Sequence, residues 1–144
     1  MAIKQISVFL ENKPGMLDAM TAVLARAGIT LRALSLAETK DFGIVRMIVD
    51  DVYETATVLK DNEYISSMTP VVAVMIPDVI GGLNKVLTSL TAAHVNLEYM
   101  YSTLAGRSTG NAYMILRVED VQKAEDALRA AGFTLADQET IAEM

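Results

Sequence analysis

Apolar residues alternate with polar or mixed ones at Ile6, Val8 and Leu10, and again at Val72, Val74 and Ile76. Each run predicts a strand with one packed face. Past each run the period lengthens: Leu17, Met20, Leu24 and Ala27 recur three or four apart, as do Leu83, Val86, Leu87 and Leu90, so each set lines one face of a helix. Gly28 follows the first helix where a left-handed C-terminal cap belongs. Two β-rich runs come next, residues 29–38 and 44–50, joined by the hairpin-like "TKDFG". Their counterparts are residues 95–104 and 113–119, joined around "AGRSTGN". Val52, Ala56 and Leu59 form a second helical stripe, repeated by Val121, Ala124 and Leu128, and Asp50, Asp51, Glu119 and Asp120 stand where these helices begin. Short closing strands fall near residues 64–68 and 133–137.

The two halves are copies of one unit. With a shift of 66 residues, "ENKPGMLDAMTAVLARAGITL" lies over "PDVIGGLNKVLTSLTAAHVNL": Gly15 meets Gly81, Leu17 meets Leu83, Leu24 meets Leu90 and Leu31 meets Leu97. Three extra residues in the second copy change the shift to 69, and there Val49, Asp51, Leu59 and Tyr64 meet Val118, Asp120, Leu128 and Phe133. The order is βαββαβ twice. That predicts an α+β fold of two tandem ferredoxin-like units, residues 1–69 and 70–144, each a four-stranded antiparallel sheet with two helices on one face. Units of about 70 residues bury little alone. "SSMTPVV" leaves only a few residues between them, so they are expected to pack as one body.

Composition narrows the function classes. The chain is 52% hydrophobic and 21% charged, enough apolar material for a packed core. A net charge of −6 repels phosphate backbones, so nucleic acid is not expected as a partner. Cysteine is absent, which excludes disulfides and thiolate chemistry and fits a reducing compartment. No signal-peptide pattern and no apolar run of about 20 residues is present, so no membrane span and a cytoplasmic location are expected. His94 is the only histidine, replaces Gly28 in the second copy and reads as a surface or cap residue, with no metal site expected. No G-x-S-x-G, P-loop, H-E-x-x-H or G-x-G-x-x-G occurs, so neither catalysis nor a cofactor is expected. Tyr99 and Tyr101 alternate with Leu97 and read as sheet packing or a subunit contact. The pairs Asp50-Asp51 and Glu119-Asp120 read as structural, because a helix start favours negative charge.

"NKPGML" and "DVIGGL" resemble the D-R-P-G-x-L signature that opens the first helix of ACT domains, the small-molecule-sensing modules of amino-acid metabolism. "AGITL" resembles that family's A-G-I-N-I run, and "AHVNLEYMY" is similar to its second-copy version. The resemblance covers essentially the whole chain as two tandem copies. It implies a non-catalytic regulator that binds an amino acid or similar metabolite, is commonly a homodimer, and acts in trans on a metabolic enzyme.

The junction residues suit that ligand. A helix start offers unpaired N–H groups and partial positive charge to a carboxylate. Gly15 and the Gly81-Gly82 pair let a ligand approach the backbone, while Asn12 and Asp78 stand where they can cap the helix or, for Asp78, hold an amino group. ACT copies commonly pair through their second strands, so the resemblance sets Asn12, Gly15 and Met16 against Asn96 and Leu97, and Asp78, Gly81, Gly82 and Leu83 against Thr30 and Leu31. Of these two unequal sites the Asp78 loop is favoured, on its carboxylate and two glycines. The competing reading is a ligand-free interaction module, because Val71, Ala73 and Met75 form an apolar sheet face that wants cover from a homodimer or partner enzyme.

Overall fold

The computed structural model describes residues 3–104 and 112–143; the expected loop "AGRSTGN" lies outside them. Its strands are β1 (Ile3–Glu11), β2 (Leu31–Glu38), β3 (Phe42–Val49), β4 (Ile65–Ile76), β5 (Leu97–Ser102), β6 (Ala112–Val118) and β7 (Leu135–Ala136). Its helices are α1 (Met16–Arg26), α2 (Val52–Asp61), α3 (Gly82–Ala92), α4 (Val121–Ala130) and α5 (Gln138–Ala142). The chain divides into two compact units, residues 4–69 and the residues from 70 onward with Ile3. The residues of β4 are shared: 65–69 belong to the first unit and 70–76 to the second. In the first unit the strands lie in the order β2-β3-β1-β4. In the second, β4 lies between β6 and β7, and β5 is the outer strand beside β6. Both are ferredoxin-like.

The register explains the core. Ile6 pairs with Met47 and Val8 with Val45, so alternate residues of β1 and β3 share one face. Met20 and Leu24 of α1 and Leu59 of α2 cover that face, and all are buried. In the second unit Val72 and Val74 lie with Leu116 and Val118 beneath Val86, Leu90 and Leu128. Each such side chain contributes roughly 1.5–3 kcal/mol on burial.

The helix ends follow the sequence closely. Asp51 caps α2 by accepting from the N–H of Tyr53 and Glu54, and Asp120 caps α4 by accepting from Lys123 N–H. Asp50 pairs with Arg32 at 2.6 Å. Helices α1 to α4 all end in the same double hydrogen bond. After α3, His94 N–H donates to Thr91 O at 3.0 Å and Val95 N–H to Leu90 O at 3.0 Å, a Schellman motif with His94 in the left-handed position.

Four features differ from the expectation. The last strand of the first copy and the first of the second are one unbroken strand, β4, with Pro70 inside it. The final strand shrinks to two residues, because Asp137 caps an unforeseen helix, α5, whose Ile141 is fully buried. The register slips between Leu31 and Ala33 in β2 and between Leu97 and Tyr99 in β5. This bulge reverses the parity of everything beyond it, so Leu97 packs in the helix-side core while Tyr101, opposite Ile115, faces the other way. Leu97 and Tyr101 therefore do not share the face that strict alternation gives them. The bulged positions are also the charged ones, since Arg32 pairs with Asp50 and Glu98 with Arg117 at 3.1 Å. Finally, Val71 and Ala73, expected on an open apolar face, are buried, while Met75 is half-buried. No described helix is long and apolar enough to cross a membrane.

Candidate functional site

Both strand-to-helix junctions turn on a left-handed glycine. Gly15 (φ 83°) and Gly81 (φ 78°) are the N-caps of α1 and α3, and no side chain caps either helix. Asn12 and Asp78 are therefore not caps. Asn12 instead donates from Nδ2 to Glu38 Oε2 at 3.2 Å and to Thr39 O at 3.4 Å, and its N–H donates to Asp41 O at 3.0 Å. These bonds tie the junction to the β2–β3 hairpin. Asp78 is exposed.

The glycine pair divides into two roles. Around Gly81 a Cβ would meet open space, so only its positive φ demands glycine. At Gly82 a Cβ would collide with the Pro77 carbonyl oxygen. Gly82 is buried against its own turn. Met16 and Leu83 lie in the first turns of α1 and α3, half-buried and exposed respectively. Thr30 and Asn96 are exposed residues just before β2 and β5, while Leu31 and Leu97 pack onto the two cores. Within the first unit Asn12, Gly15 and Met16 stand at one end of α1 and Thr30 and Leu31 at the other, about 16 Å apart along the helix. The second unit repeats this separation across α3.

What the first junction does bring together is a groove of about 370 Å³ on the helix-bearing face of its sheet. Helix α1 starts at residue 16, and at this end of the face Leu36 is exposed while Leu10 and Gly43 are buried. Leu10, Leu36 and Gly43 form the floor and Met16 and Leu17 one wall. Gly43 pairs with Leu10 on one side and Glu38 on the other, and its missing side chain lets Leu36 Cδ1 settle over the middle of the floor. The rim is charged. Lys13 Nζ lies 2.6 Å from Glu11 Oε2, with both side chains exposed, and the hydrogen bond and charge of Glu11 hold the Lys13 ammonium above its ordinary pKa. Glu38 stands on the same face as Gly43.

Sequence reasoning found Asn12 and Met16 of this groove and missed Lys13, Leu36, Glu38 and Gly43. The available signal was a glycine within the apolar run of β3, "FGIVRMIV", where a strand glycine marks a close approach. The second unit lacks the same equipment. Ile76 pairs with Ala112 as Leu10 does with Gly43, and the shifts that align the copies put Val79 in place of Lys13 and Leu104 in place of Glu38.

A family pattern described as "ACT domain pair" matches residues 1–144. Among solved structures, protein BT0572 from Bacteroides thetaiotaomicron is 39% identical, over 100% of this chain and 98% of that one, with a TM-score of 0.92. The regulatory subunit of aspartate kinase from Thermus thermophilus, in its ligand-free form, is 17% identical over 90% of this chain and 92% of its own, with a TM-score of 0.66. That from Thermus flavus is 14% identical over 89% and 91%, with a TM-score of 0.59. The likeness to these two is one of fold alone. No curated protein matches the chain.

Proposed function

The chain belongs to the family of ACT domain pairs, and on that footing we propose that it is a non-catalytic regulator binding an amino acid or similar small metabolite in the groove of its first unit. The observation that carries this reading is a half-open groove with an apolar floor, both signs of charge on its rim and an uncapped helix start beside it. An α-amino acid needs an anion for its ammonium and donors for its carboxylate. Glu38 supplies the first; Lys13 supplies the second, beside the positive end of α1, whose Met16 N–H already donates to Lys13 O. The Asp78 junction is the weaker candidate, because Val79, Leu104 and Ala112 replace Lys13, Glu38 and Gly43 there. The two Thermus fold neighbours are named as regulatory subunits of an enzyme. We place this chain in a similar role, in trans to a metabolic enzyme and in a reducing cytoplasm that its lack of cysteine suits. A homodimer fits the outer strands β2 and β5, each of which stands at an end of the strand order.

A thermal-shift panel of the twenty amino acids tests the reading. At least one is expected to raise the melting temperature, and Lys13→Ala with Glu38→Ala is expected to remove that rise. Both side chains are exposed, so the free double variant should melt close to wild type. A second reading has its own support: Val79 is 60% exposed and Ile80 fully so, an apolar pair at the second junction that suits a protein partner. A panel without any shift, together with a tight complex that Ile80→Ser disrupts, decides for that interaction module.

A further inference from the structure

Resting on the amino-acid reading of the first groove, we infer that the ligand's side chain is aliphatic or a thioether and that Gly43 sets how large it can be. Leu36 is 55% exposed although Val45, its partner on the same face, is completely buried. Val45 lies on the inner strand β3 within the helix-covered core, whereas Leu36 lies on the outer strand β2 and outside that core. A leucine left open at the bottom of a groove gains from an apolar group laid on it, and a polar group placed there loses water without finding a partner.

The charges are placed so that the ligand backbone takes the rim. Glu38 lies on the same sheet face as Leu36, two residues nearer the hairpin, and Lys13 stands on the junction loop. A ligand whose ammonium meets Glu38 and whose carboxylate meets Lys13 directs its side chain onto Leu36, which rests on Gly43. Gly43 is itself buried beneath the Leu36 side chain. A Cβ there would lie 3.4 Å from Leu36 Cδ1, 3.8 Å from Ala37 O and 4.0 Å from Leu10 O, so a methyl group would press on Leu36 and reshape the floor on which the ligand lies. The second unit carries Ala112 at this position, so a methyl group is compatible with the same strand pairing.

Calorimetric titration of the full chain with L-leucine, L-methionine, L-alanine, L-serine and L-glutamate tests the inference. Leucine or methionine should bind at least about tenfold tighter than alanine or serine, in keeping with the extra apolar area covered. Gly43→Ala should weaken leucine binding by about tenfold and leave alanine binding within about threefold, with no fall in the melting temperature of the free protein. Leu36→Ser, at an exposed position, should weaken leucine in the same way. Tightest binding of serine or glutamate overturns the side-chain inference while leaving the amino-acid reading standing. Leucine binding indifferent to both substitutions overturns the assignment of the floor. Binding of no amino acid at all overturns the underlying reading together with the inference.

Discussion

His94 ends α3 with φ 56°, a conformation in which Cβ crowds the neighbouring carbonyl and which costs roughly 1–2 kcal/mol outside glycine. Gly28 and Gly132 do the same work after α1 and α4 without that cost. His94→Gly should therefore stabilise the protein by about 1 kcal/mol, which for a chain of this size raises the melting temperature by about 3 °C. A fall on scanning calorimetry would show that the imidazole makes a compensating contact. Asp137 carries the pH dependence that can be assigned to one residue. The Thr140 N–H at 2.8 Å and its hydroxyl at 2.8 Å stabilise the carboxylate and hold its pKa below the usual range. A depressed native pKa means that this contribution is fully present above the unfolded value of about 4 and is lost as pH falls through the native one. Acid unfolding of Asp137→Asn should accordingly lack the part of the wild-type slope that lies below about pH 4. Equal slopes would remove the cap from the account.

At the scale of the element, the repeated junction is one backbone design with two fillings. Gly81→Ala forces a side chain into a left-handed turn with open space around it, at about 1 kcal/mol. Gly82→Ala drives a methyl group into the Pro77 carbonyl, so it should cost more, about 2 kcal/mol, and denaturant midpoints of the two variants should separate accordingly. Equal midpoints would mean that the Pro77 turn yields freely. A ligand effect measured at Gly81 is thus mixed with strain. Gly43, whose φ is not left-handed, is the cleaner position to probe. The bulges in β2 and β5 are the other repeated element device. Each inserts one charged residue, Arg32 or Glu98, and turns the rest of its strand over.

For the molecule as a whole, the relevant quantity is the stability a ligand adds. At a hundred times its dissociation constant an amino acid adds about 2.7 kcal/mol, a melting shift of several degrees for a chain this size. The exposed charges of the rim make the same binding sensitive to salt. Raising the ionic strength from about 0.01 M to about 1 M shortens the screening length roughly tenfold, from about 30 to about 3 Å. The affinity is expected to fall over that range in isothermal titrations, and an affinity that held constant would argue against Lys13 and Glu38 as the groups that hold the ligand.

Periodicity carried most of the architecture. Alternation at Ile6, Val8 and Leu10, helical spacing at Leu17, Met20 and Leu24, and the match between the halves are local or repetitive signals, and burial of apolar faces leaves them few other solutions. Asp51 and Asp120 were legible as helix starts for the same reason, since a cap acts within three residues of itself. The groove was not. It exists because Leu10, Leu36 and Gly43, from three strands, meet beside the start of α1, and strand register rather than sequence proximity brings them together. The roles of Gly81 and Gly82 could not be separated along the chain either, because one depends on a dihedral angle and the other on a carbonyl five residues away. Chain periodicity defined the two copies and already made their junctions unequal; folding decided which residues meet there, gathering Lys13, Glu38 and Gly43 from a loop and two strands around the first groove.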